Sequence, residues 1–215
     1  MIIRFADIWA KKSYELTMQR SVNRFLVQKG VLPEFTKRLV AKVSALKTGP
    51  GLDPSTTQGP LVNLAAVQKV KEHVNDAVQK DAKIEYQGEK NGGNGFFYPP
   101  TVISGVTSKM KVAHEETFGP LAPIFAFDGE EDAIALANAT EFGLAGYLFS
   151  GNVNRVTRVS ARMQVGMIGV NTGRISAAEV PFGGIKSSGY GVEGSLYGIE
   201  EYLVNRTVIM GNVNK

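Results

Sequence analysis

The sequence predicts an α/β protein: a parallel-type sheet flanked by helices, with one further strand near the C-terminal end. Three observations carry this. Short apolar runs alternate with amphipathic helical stretches, and the links between them are short, as in crossover-connected parallel sheets. The 215 residues are 43% hydrophobic and 20% charged, enough apolar chain for a sizeable core. Neither an internal repeat nor a separating linker interrupts the pattern.

Taken in order, DIWAKKSYELTMQRSVNRFLV shows no clean period, although Ile8, Trp9, Leu16 and Met18 suffice to cover a core edge. FLVQKG (25–30) predicts a short buried strand ended by Gly30. PEFTKRLVAKVSAL (33–46) predicts a helix, with Pro first and Phe35, Leu39, Val40, Val43 and Leu46 at helical spacing. TGPGLDPSTTQGP (48–60) holds three prolines and three glycines and predicts a loop. LVNLAAVQKVKEHVNDAVQKDA is a long amphipathic helix, KIEYQG the strand after it, EKNGGNG a turn and FFYPPTVISGV an extended segment. FAFDGEEDAIALANATEFGLAG gives a strand, a helix and a glycine-rich turn. Its Glu130, Glu131 and Asp132 occupy the first helical turn, where the helix dipole favours acids. YLFSG is a strand, NVNRVTRVSARMQV a helix with Asn152 as N-cap, and GMIGVN a strand. VPFGGIKSSGYGVEGS (180–195) is a long glycine-rich loop, and EYLVNRTVIM, after a short helix, is the final strand. If that strand lies outside the main sheet, its edge is available to another chain, so a homodimer or higher oligomer is expected. The alternative is that it closes the chain's own sheet.

Composition excludes several functions. The 24 Lys and Arg are scattered among 20 Asp and Glu, for a net charge of +4, so no nucleic-acid partner is expected. There is no Cys, which removes disulfides, cysteine-ligated metals and a cysteine nucleophile from this chain. The two histidines, His73 and His114, are too few for a histidine-based metal site unless carboxylates dominate it, so no metal is expected. No apolar run reaches membrane-spanning length, and no membrane association is expected. MIIRFADIWAKKSYEL carries an Arg and two Lys but also Asp7 and Glu15, which argues against a mitochondrial presequence. The cytoplasm is the expected compartment, with the mitochondrion as the alternative.

HEETFGPLAPI (114–124) concentrates the chemistry. Its Gly-Pro opens an apolar run, which predicts a tight turn into a buried strand with Glu116 and Phe118 at the strand's mouth. With GLAGYLFSGNVNRVTRVSARMQVGMIGVN and PFGGIKSSGYGVEGSLYGIEEYL, it resembles the C-terminal part of the aldehyde dehydrogenase superfamily, most nearly its succinate-semialdehyde branch. The resemblance runs from about Asn23 to about Met210. It implies a divergent segment over 1–22, a catalytic-domain portion over 23–199, and an oligomerisation strand and tail over 200–215.

The resemblance also assigns roles. Glu116 matches the carboxylate that holds the ribose beside the nicotinamide, and Phe118 the aromatic that packs by that ring. Ser176, in GVNTGRIS, matches the serine that binds a substrate carboxylate. Arg174 departs from the family's usual apolar residue, and a guanidinium is a stronger carboxylate clamp than a hydroxyl. Thr172 stands where that branch commonly carries an acid. Lys186, in FGGIKSSG, follows the family pattern and is expected to order the loop. Each of these has an ordinary alternative. Glu116 is otherwise a solvated loop carboxylate, Phe118 a core aromatic, Ser176 a loop serine and Arg174 a surface charge. His114 is a candidate acid or base, with a structural role as its alternative.

Alignment on NRFLVQKG puts Gln19 where the family's nucleophilic Cys belongs, and Ser21 where a second Cys is common. By the resemblance, the general base, the oxyanion-hole Asn and the nucleotide-binding domain lie upstream of the matched portion. NAD or NADP, the family's cofactors, are therefore not expected to serve this chain. Non-redox chemistry on a small carbonyl or carboxylate compound is expected instead, with Glu116 and His114 as catalytic candidates. The alternatives are a non-catalytic oligomerisation partner of a full-length relative and a fragment of a succinate-semialdehyde dehydrogenase-type enzyme.

Overall fold

In a computed structural model, which describes residues 2–4, 22–89 and 95–212, the alternating pattern builds a three-layer α/β arrangement. The strands are β1 (Ile2–Arg4), β2 (Phe25–Gln28), β3 (Lys83–Gln87), β4 (Thr101–Ser104), β5 (Leu121–Phe127), β6 (Phe142–Gly143), β7 (Ala145–Phe149), β8 (Met167–Val170) and β9 (Ile185–Lys186). The α-helices are α1 (Leu32–Ser44), α2 (Leu64–Gln79), α3 (Glu130–Asn138) and α4 (Val153–Ser160). Seven strands form one sheet in the order β3-β4-β5-β2-β1-β7-β8, while β6 and β9 form a small separate ribbon.

The sheet is mixed rather than parallel throughout. β4, β5 and β2 run parallel to one another, and β7 runs parallel to β8. β3 pairs antiparallel with β4. Their connection has no helix among its described residues, and a parallel return would need a crossover. β1, a three-residue strand absent from the sequence expectations, sits mid-sheet and antiparallel to both β2 and β7.

Each long strand divides its side chains between two cores. Phe25, Val27, Val102, Ala122 and Ile124 pack on one face with Val43 of α1, and Phe25 meets Phe35 with ring centroids 6.0 Å apart. Leu26, Ile103, Leu121, Phe125 and Phe127 point to the other face, with Val70, Val74 and Ala77 of α2 and Ala133 and Ile134 of α3. Burying this apolar surface is the main stabilising term, roughly 1.5–3 kcal/mol for each fully buried large side chain.

α2 and α4 start where side chains satisfy the first free amides. Asn63 Oδ1 accepts from Ala66 N and Asn152 Oδ1 from Arg155 N, each at 2.9 Å, so the expected cap at Asn152 is present. The acidic first turn of α3 also pairs with α4 through Glu130–Arg158 and with the turn just after α4 through Glu131–Arg162. Being exposed, these pairs add little to stability.

The chain's end departs from expectation. Tyr197–Tyr202 form a 3-10 turn, and 203–212 pair with no strand of the described chain. The apolar side chains there face outward, with Val204 92% and Ile209 90% exposed. The β-branched pattern is present, but among the described residues it has no strand to pair with. Ile8, Trp9, Leu16, Met18, Gln19 and Ser21 lie outside the described residues. Among the described residues, no helix is long and apolar enough to cross a membrane.

Candidate functional site

The segments entering β2, β5, β7 and β8 surround one cavity of about 320 Å³. Its wall includes His114, Glu116, Phe118, Arg174 and Ser176, so the five candidate site residues meet there, while Thr172 and Lys186 lie outside it. They come from chain segments more than fifty residues apart, brought together by the parallel β2–β5 and β7–β8 pairings.

Two glycines make the approach of the later loops feasible. A Cβ on Gly169 of β8 would fall 2.8 Å from Ile175 Cγ2 and 3.1 Å from the Thr172 carbonyl oxygen. Only glycine lets the loop after β8 fold back over its own strand and carry Arg174 and Ser176 to the cavity. Gly166 does the same for the glycine-rich loop, whose Gly183 carbonyl oxygen lies 2.1 Å from where a Cβ would be.

Glu116 is half-buried, not a solvated loop group. Asn23 Nδ2 donates to its Oε1 at 3.2 Å. Burial pushes the carboxyl above the ordinary glutamate range, against the smaller opposing effects of the Asn23 bond and of Lys69. Phe118 is not a core residue either. It is 45% exposed at the mouth of the cavity, with φ at +44°, a left-handed backbone that aromatic residues seldom adopt.

Arg174 and Ser176 are both exposed on the cavity wall. The Arg174 backbone amide donates to Thr172 Oγ1 at 3.1 Å, and its guanidinium makes no hydrogen bond or ion pair with the described residues. His114 is exposed, and its Nε2 donates to the Ser108 carbonyl at 2.6 Å. Lys186, also at positive φ, sends its amine to the carbonyls of Asn138 and Thr140, both at 3.1 Å, and so ties the glycine-rich loop to the end of α3. Burial, and secondarily Arg24 nearby, push its pKa down.

Sequence reasoning passed over three residues. Asn23 and Arg24 line the cavity just ahead of β2. Arg24 is buried, burial holds its guanidinium down to about 10, and it donates to the last carbonyls of α3. His73 is fully buried beneath the 115–117 segment. Its place was legible, because Val70, His73, Val74 and Ala77 share the buried stripe of α2. No group of three or more His, Asp or Glu suited to a metal ion occurs among the described residues.

The model of the aldehyde dehydrogenase family matches residues 19–208. The chain belongs to the aldehyde dehydrogenase family. This aldehyde dehydrogenase family chain is 49% identical over 193 residues to the 3-sulfolactaldehyde dehydrogenase of Pseudomonas putida, covering 90% of this chain and 40% of that protein. It is 50% identical over 192 residues to the mitochondrial succinate-semialdehyde dehydrogenase of Rattus norvegicus, covering 89% and 37%. Among solved structures, the succinate-semialdehyde dehydrogenase of Burkholderia pseudomallei superposes with a TM-score of 0.84 at 49% identity, covering 87% of this chain and 39% of that one. The chain thus spans about 40% of the length of these aldehyde dehydrogenase relatives.

Proposed function

We propose that the chain holds a small carbonyl compound with an anionic group in this cavity and carries out non-redox chemistry on it: isomerisation, cyclisation or addition. One observation carries the reading. A half-buried carboxyl of raised proton affinity shares a cavity with a guanidinium that has no partner among the described residues. Arg174 and Ser176 hold the anionic end, the first by charge and paired donors, the second by a short hydroxyl. Two relatives bear the names of small aldehydes with a second, anionic group, succinate semialdehyde and 3-sulfolactaldehyde, which supports this assignment. Glu116 moves the proton, because a carboxyl of raised proton affinity is a stronger base when ionised and is more often protonated, and so ready to donate, than an ordinary one. Phe118 covers the apolar part of the ligand. His114, whose Nε2 proton is committed to Ser108, offers Nδ1 as a second acceptor.

With no cysteine in these 215 residues, a thiohemiacetal has no sulfur to form on. Glu116 and Phe118 suit the sugar hydroxyls and flat ring of a nicotinamide nucleoside, a group that accepts hydride when bound. Among the described residues of this cavity, no α-helix N-terminus stands ready for the pyrophosphate, so the lining fits only that end of NAD or NADP. The proposed chemistry needs no cofactor, and we place it in the cytoplasm.

A second reading, an oligomerisation partner for itself or for a full-length relative, is favoured by the outward apolar residues of 203–210. Proton NMR of succinic semialdehyde and related carbonyl acids, incubated with the chain with and without NAD or NADP, separates the readings. A new product without cofactor supports the proposal. Succinate formed only with cofactor overturns it, and no reaction in any mixture favours the partner.

A further inference from the structure

His73 lies outside the cavity, yet both of its ring nitrogens are committed to the segment that carries Glu116. It is fully buried on the inner face of α2. Nε2 lies 3.2 Å from Glu115 Oε2 and Nδ1 lies 2.9 Å from Thr117 Oγ1. A carboxylate only accepts, so Nε2 carries the proton and donates to Glu115. In the neutral ring, Nδ1 then accepts from the Thr117 hydroxyl.

Thr117 is buried in turn, and its backbone amide donates to Asn23 Oδ1 at 3.2 Å. The same Asn23 donates through Nδ2 to Glu116 Oε1 at 3.2 Å. His73, Thr117, Asn23 and Glu116 are therefore linked, through the side chain and backbone of Thr117, in one series of hydrogen bonds from the helix interior to the cavity wall. It ends two residues before Phe118, whose left-handed backbone persists only where neighbours fix the segment.

The geometry points to His73 as a positioning residue for Glu116, acting through Thr117 and Asn23. The inference rests on Glu116 being the working carboxyl. Burial is the dominant influence on Glu116 and outweighs the Asn23 bond. Releasing the segment admits water and moves the carboxyl back toward an ordinary glutamate.

The test reads Glu116 directly, by a ¹³C NMR titration of its side-chain carboxyl in the full chain. Thr117→Val removes the hydroxyl at constant volume, Thr117→Ser keeps it, and His73→Leu removes the ring nitrogens. The expected result is a downward shift of the Glu116 midpoint by roughly 0.5–1 unit in Thr117→Val, the scale on which folded carboxyls vary. Thr117→Ser stays at the wild-type value, and the residue 117 amide exchanges about tenfold faster in Thr117→Val but not in Thr117→Ser. His73→Leu shifts the midpoint in the same direction. Should that variant fail to fold, the valine and serine variants decide. A folded Thr117→Val protein whose Glu116 midpoint is unmoved overturns the proposal, whatever its melting temperature. If Glu116 responds while every substrate mixture stays unchanged, the positioning stands and only the choice of reaction falls.

Discussion

Arg24 and Lys186 share the end of one helix and divide five consecutive carbonyls between them. Arg24 Nη1 donates to Leu136 at 2.9 Å and Ala139 at 3.4 Å, and its Nη2 to Ala137 at 3.0 Å. Lys186 Nζ takes Asn138 and Thr140. The last carbonyls of α3 have no partner within the helix, and its C-terminus carries partial negative charge. Two cations from distant parts of the chain answer both needs.

Replacing Arg24 with Met should cost about 2–4 kcal/mol, because it strips donors from buried carbonyls rather than removing both sides of each bond. Chemical denaturation measures it. Arg24→Lys should recover less than half of the loss, since an ammonium lacks the planar fork that spans the three carbonyls.

Lys186→Met should cost less, about 1 kcal/mol, the usual net worth of hydrogen bonds at a partly exposed site. Its clearer signature is faster proteolytic nicking within 180–195, because the amine ties that loop to α3. Lys186→Gly, which relaxes the positive φ but lacks the amine, should be nicked just as fast.

The pH dependence of Glu116 has a definite sign. Its folded pKa is raised above the unfolded value by burial. The stability this contributes is complete below the ordinary glutamate pKa and is lost as pH rises through the folded value. Glu116→Gln keeps an acceptor for Asn23 and has no charge to desolvate. It should match the wild type near pH 4 and melt roughly 1–2 °C higher at pH 7, a scale set by the size of the chain. Calorimetry at the two pH values checks this.

Arg174→Ala should weaken binding of a dicarboxylate such as succinate about tenfold, and Ser176→Ala by less, consistent with one charged hydrogen-bonded contact. Titration calorimetry at two salt concentrations should also show the wild-type salt dependence diminished in Arg174→Ala.

The outward residues at the chain's end make a separate test. Val204→Glu with Ile209→Glu should lower the sedimenting mass if these side chains cover another subunit, while leaving the monomer's melting temperature within about 1 °C, as for exposed positions.

Much of this was legible in local patterns. The apolar run opened by Gly-Pro marked β5, Asn152 marked the start of α4, and the Glu-x-Phe-Gly-Pro order placed Glu116 and Phe118 at a strand mouth. What stayed hidden depended on partners far along the chain. Three residues are too few for β1 to show a period, and its neighbours lie more than twenty residues away. Over 203–210 the side-chain pattern of a strand is present without a strand, because pairing needs an edge that no local sequence supplies. The burial of His73 follows from its place on the apolar stripe of α2, but its contacts with Glu115 and Thr117 come from a segment more than forty residues away.

The fold-back of the loop onto Gly169 bears on how such a site diversifies. Ile175 is the peg, seated against a strand position that has no side chain, while residues 174 and 176 on either side of it stay exposed. Anchoring and recognition are thus assigned to alternate residues of one short loop. Changes at 174 and 176 trade one ligand charge or size for another at little cost to the scaffold, whereas a methyl group at 169 dislodges the whole loop. The loop behaves as an interchangeable cassette on a fixed socket.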